Sequence, residues 1–235
     1  AQTLSTIGEL PGGDPVQRAH TLSVDVPGRK LAQIQAFASR LQFQQRPTHW
    51  LDWCAGKGHL GRWLTQDDQR LTCLEYDPAL IESGGALSKR LGLNATHIQQ
   101  DVLADTCNEH LRQEHTPVAL HACGDLHVRL LQLASHNDCP QLAVAPCCYN
   151  RIAGLHYQPL SSAAHASGLQ LSRDDLGLPL SETVTAGARV RRQRDQSMAW
   201  RLAFDLLQRQ LRSLDEYLPT PSLPSAWFSR SEERR

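Results

Sequence analysis

At 235 residues, with 24 basic and 24 acidic side chains and 40% hydrophobic residues, the chain is long enough for one full globular domain, and its zero net charge excludes a highly basic coat protein. A fifth of the residues are charged without imbalance, which excludes a disordered chain, and no apolar run approaches the roughly 18 residues of a membrane span. The first thirty residues lack a signal-peptide pattern, and the seven cysteines are odd in number and scattered through apolar segments, so the expectation is a soluble, cytoplasmic protein with reduced thiols.

The even balance conceals a basic arm. Residues 189–212 carry Arg189, Arg191, Arg192, Arg194, Arg201, Arg209 and Arg212 against Asp195 and Asp205, while residues 1–188 hold 14 basic and 18 acidic side chains. The chain opens on Ala1 rather than Met and closes on Glu-Glu-Arg-Arg, which reads as a processed or excised piece of a longer protein.

Residues 1–28 contain Pro11-Gly12-Gly13-Asp14-Pro15 and no sustained periodicity, an extended lead-in. Leu31, Ile34, Ala38 and Leu41 then form the stripe of an amphipathic helix. His49 to Cys54 is a short apolar strand running into glycines, His59 to Gln66 a helix, and Arg70 to Tyr76 a second strand. Asp77-Pro78 is a cap followed by proline at the first helical position, and Leu80, Gly84, Leu87 and Leu91 continue one face. Ala95 to Gln100 reads as a third strand, and Thr106 to Glu109 fits a capping box opening a short helix to His115. Val118 to Leu120 enters a fourth strand, Val128 to Ala134 is helical, and Gln141 to Ala145 is a fifth strand.

Strands alternating with helices at this spacing predict a doubly wound, mostly parallel α/β sheet over residues 29–150, whose ligands bind at the carboxyl ends of the strands. Residues 151–235 read as a helical, Arg-rich segment on the substrate side, with Met198, Leu202 and Leu206 on one helix face. Only Gly168 to Ser172 alternates like a further strand. The last strands of the sheet are thus expected to be missing or built differently, leaving an edge open to pairing with another chain; the oligomeric state stays undetermined.

The first strand ends Asp52-Trp53-Cys54-Ala55-Gly56-Lys57-Gly58-His59-Leu60-Gly61, which fits two glycine templates. Gly56, Gly58 and Gly61 match the dinucleotide fingerprint, whereas Asp52, Gly56 and Gly58 match Asp-x-Gly-x-Gly-x-Gly with Cys54 in place of the first glycine. The second pattern resembles motif I of the Rossmann-like S-adenosylmethionine (SAM) methyltransferases. Asp52 would repel a pyrophosphate but not a cofactor with a cationic amino acid end, so it favours SAM. Glu75 is placed for the ribose hydroxyls, and the resemblance implies an adenine contact at Asp101. The implied cofactor set is Asp52, Cys54, Ala55, Gly56, Gly58, His59, Glu75, Tyr76, Asp101, Val102 and His121.

The blocks His121-Ala122-Cys123-Gly124-Asp125-Leu126 and Pro146-Cys147-Cys148-Tyr149-Asn150 resemble a methyltransferase-like family that includes a tRNA 2′-O-methyltransferase branch; that family commonly has His where this chain has Asn150. In the expected sheet His121, Asp125, Cys147, Tyr149 and Asn150 lie around the acceptor pocket, with His121, Asp125, Tyr149 and Asn150 as the candidate catalytic residues. An amine acceptor suits Asn150 or the Pro146 carbonyl, and a hydroxyl acceptor needs a base, His121 or Asp125. No Cys-x-x-Cys pair accompanies Cys123, Cys147 and Cys148, so no metal is expected. The arginine cluster and the resemblance together predict an RNA substrate. The rivals are a protein or small-molecule methyltransferase, an NAD-dependent oxidoreductase and a non-catalytic binding module.

Overall fold

The computed structural model describes residues 20–23, 25–66, 68–178 and 188–218, so most of the lead-in read over 1–28 lies outside it, as does the proline-rich stretch from Pro219. The chain divides into two compact units, Ala1–Gly177 and Leu178–Arg235. The first holds helix α1 (Gly28–Ala38), strand β1 (His49–Trp53), α2 (His59–Leu64), β2 (Arg70–Glu75), α3 (Pro78–Arg90), β3 (Ala95–Gln99), β4 (His115–Cys123), α4 (Asp125–His136), β5 (Ala143–Cys147) and two short helices, α5 (Ser162–Ala166) and α6 (Arg173–Gly177).

All five strands are parallel, in the order β3-β2-β1-β4-β5, so the chain runs outward from β1 to one edge and returns to build the other half. The reversal beside β1 opens a crevice at the carboxyl ends of β1 and β4, where such sheets take ligands. Alternation along the strands feeds two cores. Trp50, Leu71, Cys73 and Val118 pack with Ile34 and Ala38 of α1 and with Leu60 and Trp63 of α2. Leu51, Trp53, Leu74 and Ala119 face the other way, onto Leu130, Leu133 and Ala134 of α4.

Several local expectations are corrected. The capping box at Thr106 does not form: residues Asp105–His110 make a 3-10 turn, and the Thr106 hydroxyl accepts from Gln100 Nε2 at 3.0 Å. The fourth strand starts three residues earlier than its apolar run, at His115, because Pro117 fits the ladder opposite Leu51. Gly168 to Ser172 builds no strand. Gly168 has φ +66°, and the backbone N–H and hydroxyl of Ser172 both donate to Asp175 as α6 begins, leaving one isolated antiparallel bridge to His156.

In the second unit, α7 (Ala188–Arg212) carries the arginines. Arg209 pairs with Asp205 one turn earlier at 2.8 Å and with Asp215. Met198, Leu202 and Leu206, the apolar face read from the sequence, are 48%, 60% and 67% exposed. No helix among the described residues is long and apolar enough to cross a membrane.

Candidate functional site

The glycine turn follows β1 directly. Cys54 (φ +54°), Gly56 (φ +57°) and Gly58 (φ +72°) reverse the chain, the Gly58 N–H closes a turn on the Ala55 carbonyl at 2.8 Å, and Gly58 becomes the left-handed N-cap of α2. A Cβ on Gly58 would lie 2.9 Å from His97 Cε1 and 3.0 Å from Cys73 Sγ, and one on Gly61 would lie 2.5 Å from Leu71 Cδ1; these two glycines let α2 settle onto the sheet. Gly56 differs, since a Cβ there meets only Lys30 Nζ at 3.8 Å. Of the three glycines it is the one whose backbone is left open to a ligand.

Two carboxylates hold this turn. Asp52, 2% exposed, shares the face of β1 that carries Trp50, and its Oδ2 accepts from the Gly61 N–H at 2.8 Å. Burial pushes its carboxyl up to about 7, against the opposing pull of that N–H and of Lys30 and Arg62. Glu75, at the end of β2, accepts from Gly56 N at 2.8 Å, Tyr76 N at 2.9 Å and Asp77 N at 3.1 Å. The ends of β1 and β2 are thus tied through a carboxylate that meets the turn at its open glycine.

The other expected cofactor residues divide by depth. His59 is 7% exposed, with Nδ1 2.9 Å from the buried Arg62 guanidinium, which also donates to the Lys57 carbonyl. Burial first, then the positive charge of Arg62, lowers His59 to about 4. Ala55 and Val102 belong to the cores. Cys54 is half-buried, its thiol pushed up to about 12 by burial and then by the negative charges of Glu75 and Asp52. Tyr76 and Asp101 are exposed, and Asp101 Oδ1 accepts from Leu103 N at 2.9 Å. Asp77 caps α3 through Ala79 N, the structural role its sequence context suggested.

Sequence reasoning missed Arg62 and Lys30. Arg62 follows the last glycine of the motif by one residue and His59 by three, a spacing that puts both on one helix face, and it braces the turn from beneath. Lys30 arrives from α1, outside any motif.

Opposite the turn, the ends of β4 and β5 are locked to the segment that follows. A bulge in their pairing between Leu120 and Ala122 leaves His121 exposed at φ +71°. Gly124 (φ +50°) is required because a Cβ there would overlap the Arg151 carbonyl. The Asp125 N–H donates to that carbonyl at 3.0 Å, and Asp125 Oδ2 accepts from Ala153 N at 2.6 Å. Asp125 therefore clamps residues 151–153 instead of capping its own helix.

Tyr149 lies edge-on to His127, ring centres 5.9 Å apart. Both rings line a cavity of about 130 Å³ with Ile152, Tyr157, Leu171 and Leu176. Asn150 follows, with its Oδ1 buried and without a hydrogen-bond partner. Two larger cavities, about 280 and 320 Å³, include no strand-end residue and are not the site.

No curated protein matches the chain. Solved structures similar to it include coclaurine N-methyltransferase bound to N-methylheliamine and SAH (20% identity, 39% of this chain and 27% of that one, TM-score 0.31). M. capricolum TrmK in complex with SAH (12%, 45% and 46%, TM-score 0.34) and the precorrin 8W decarboxylase from Methanobacterium thermoautotrophicum (14%, 66% and 76%, TM-score 0.39) are also similar. The chain spans about a quarter to a half of the length of the first two. A family model described as a methyltransferase domain matches residues 29–154, just over half of the chain. That stretch begins within α1, takes in the glycine turn and all five strand ends, and closes just after the backbone that Asp125 clamps, so the chain belongs to this methyltransferase-domain family.

Proposed function

We propose that the protein is a SAM-dependent methyltransferase acting on RNA, with an amino nitrogen as methyl acceptor. The observation that carries the cofactor reading is the Glu75 carboxylate hydrogen-bonded to Gly56 N–H, the unobstructed glycine of the turn. The donor set fits SAM: carboxylates, with no basic side chain at the ends of β2 and β3, suit a sulfonium and an ammonium and would oppose a pyrophosphate. When bound, SAM supplies an electrophilic methyl group on a positively charged sulfur. Glu75 would hold the ribose hydroxyls, Gly56 and Cys54 would offer backbone to the amino acid end, and Asp101 would hold the adenine edge. Asp52 and His59 act from beneath, Asp52 by fixing Gly61 and His59 by bracing Arg62.

On the acceptor side, Asn150 would turn its buried, unpartnered Oδ1 out to an N–H of the incoming amine and so orient that nitrogen, and Tyr149 would offer a flat apolar wall beside it. His121, exposed at the bulge, receives the proton released after transfer. The Asp125 carboxylate holds the wall itself. The RNA reading rests on α7, a helix with a surplus of arginine whose Arg191 and Arg192 are exposed and suited to phosphates.

The test has two stages. Calorimetric titration with SAM, S-adenosylhomocysteine and NAD is expected to give micromolar binding of the first two alone; binding of NAD instead refutes the cofactor reading. Transfer of labelled methyl from SAM is then measured on total RNA, on a protein extract and on small-molecule amines. Label in RNA that weakens steeply with added salt supports the reading, and label confined to protein or small molecules overturns the RNA assignment.

A further inference from the structure

Cys123 ends β4 and Cys147 ends β5, and the ladder sets them directly opposite each other with sulfurs 3.2 Å apart. Cys148 comes next, and on a continuing strand its side chain would point to the opposite face from Cys147. It does not, because Cys148 takes φ +47°, a left-handed conformation uncommon for a residue with a Cβ. The alternation breaks there, and all three sulfurs come within 4.8 Å of one another. Each cysteine is a free thiol and half-buried, reachable by a small ion. Among the described residues no histidine or carboxylate joins them within that distance.

We propose that Cys123, Cys147 and Cys148 bind one Zn²⁺ ion through their three sulfurs, leaving its fourth coordination position open to water or to an external donor. Soft thiolate donors select zinc or monovalent copper over magnesium and calcium. Zinc leaves the half-buried cluster with one net negative charge, where monovalent copper would leave two. A tetrahedral zinc with sulfurs at about 2.3 Å needs them about 3.8 Å apart, between the 3.2 Å of the closest pair and the 4.8 Å limit of the set. Binding is an exchange without redox change: three S–H bonds are lost, three Zn–S bonds form, and three protons leave. An open fourth position is the mark of zinc sites that exchange a ligand, as opposed to closed structural ones.

The absence of a Cys-x-x-Cys pair argued against a metal in the sequence. The structure supplies the pairing across two adjacent strands, which no local spacing reports.

Cobalt(II) titration of the whole chain, stripped of metal and kept reduced with a phosphine, tests the proposal. One equivalent is expected to develop thiolate-to-cobalt charge-transfer absorption with the visible bands of a tetrahedral site, and one equivalent of zinc is expected to abolish both. Cys123→Ser and Cys148→Ser should each weaken cobalt binding by more than the roughly 10–100-fold seen when only outer-shell partners are lost. Cys139→Ser should leave the titration unchanged, since that thiol donates to the Arg112 carbonyl elsewhere. Absence of the charge-transfer band in the reduced wild-type chain overturns the proposal whatever the variants do. So does an unchanged titration in either serine variant, or mass-spectrometric evidence that Cys123 and Cys147 remain disulfide-linked under the reductant.

Discussion

The two halves of the sheet's carboxyl edge are held by opposite means. At β1 and β2 the carboxylates of Asp52 and Glu75 bind amides of the turn and its helix, and the side chains below are sealed into the core. At β4 and β5 a bulge, a left-handed cysteine and a single carboxylate hold a half-exposed segment, and Asn150 Oδ1 and His127 Nδ1 are buried without partners. Unpartnered buried atoms also lie beneath the first half, at Trp63 Nε1 and His97 Nδ1, so the contrast is one of packing: a turn sealed onto the core against a half-exposed segment held by a single carboxylate. On the proposed reading the sealed turn takes the cofactor and the half-exposed segment takes the acceptor.

The lock between β4 and the 151–153 segment is the most fragile link in that arrangement. Gly124→Ala sets a methyl group against the Arg151 carbonyl at a positive φ, and the cost is expected to be at least about 3 kcal/mol or outright failure to fold. Urea denaturation measures it. Stability within about 0.5 kcal/mol of wild type would mean that the segment is free to move and that the second half is no lock at all.

Acid separates the halves next. Burial lowers His49, His59 and His97 to about 4, from the usual 6.5, and raises Asp52 from 3.8 to about 7. Between pH 6.5 and 4 the unfolded chain holds up to three more protons at the histidines, while the folded chain holds one more at Asp52. The unfolded state therefore gains a net two protons and stability falls with falling pH, by up to roughly 2.7 kcal/mol per unit. Asp52 works in the reverse sense: its contribution is full below pH 3.8 and is lost as pH rises through 7. Asp52→Asn keeps an acceptor for Gly61 and removes that opposition, so it should stabilise the chain at pH 8, lose the advantage below about pH 4, and bind SAM normally. Melting curves from pH 4 to 8 decide this. A loss of SAM binding in a folded Asp52→Asn protein would make Asp52 a direct ligand instead of a clamp.

The boundary between what was readable and what was not follows the range of the interactions. The order of strands and helices, the glycine turn and the carboxylate that ends β2 all rest on local pattern and appear where the pattern puts them. Asp52 was readable as part of the motif but not as a buried clamp, although Trp50 two residues before it, on the same face and plainly a core residue, carried that information. Asp125 was readable as a polar group of the acceptor pocket but not as a clamp: nothing local to a carboxylate at a helix start reports that it reaches residues 28 positions away. The thiol cluster needs a cross-strand register and one left-handed residue, and neither has a local signature.

Within the first half, Glu75→Gln tests whether the turn and the β2 end act as one unit. Glutamine keeps one acceptor for three backbone donors and sets an NH₂ against them, a stability cost of about 1–3 kcal/mol. SAM affinity should fall by at least about tenfold, equivalent to about 1.4 kcal/mol, which calorimetry measures. An unchanged affinity would detach Glu75 from the cofactor and leave it a purely structural brace.

The smallest expected effect on stability sits in the second half. Asn150→Ala removes a buried oxygen that has no partner, so no hydrogen bond is broken and the relief of an unsatisfied acceptor offsets the packing lost; the midpoint of unfolding should move by less than about 0.5 kcal/mol. SAM affinity should also hold. Methyl transfer at saturating SAM should nonetheless drop by about 10²-fold, since the acceptor nitrogen loses the group that orients it. Asn150→Asp adds a second outcome: a carboxylate still accepts the N–H, so partial activity that rises with pH as the carboxyl ionises is the signature of an amine held by an acceptor. A variant at Asn150 that turns over normally would return the acceptor pocket to His121 and reopen the case for a hydroxyl substrate, because a base and not an amide is what a hydroxyl requires.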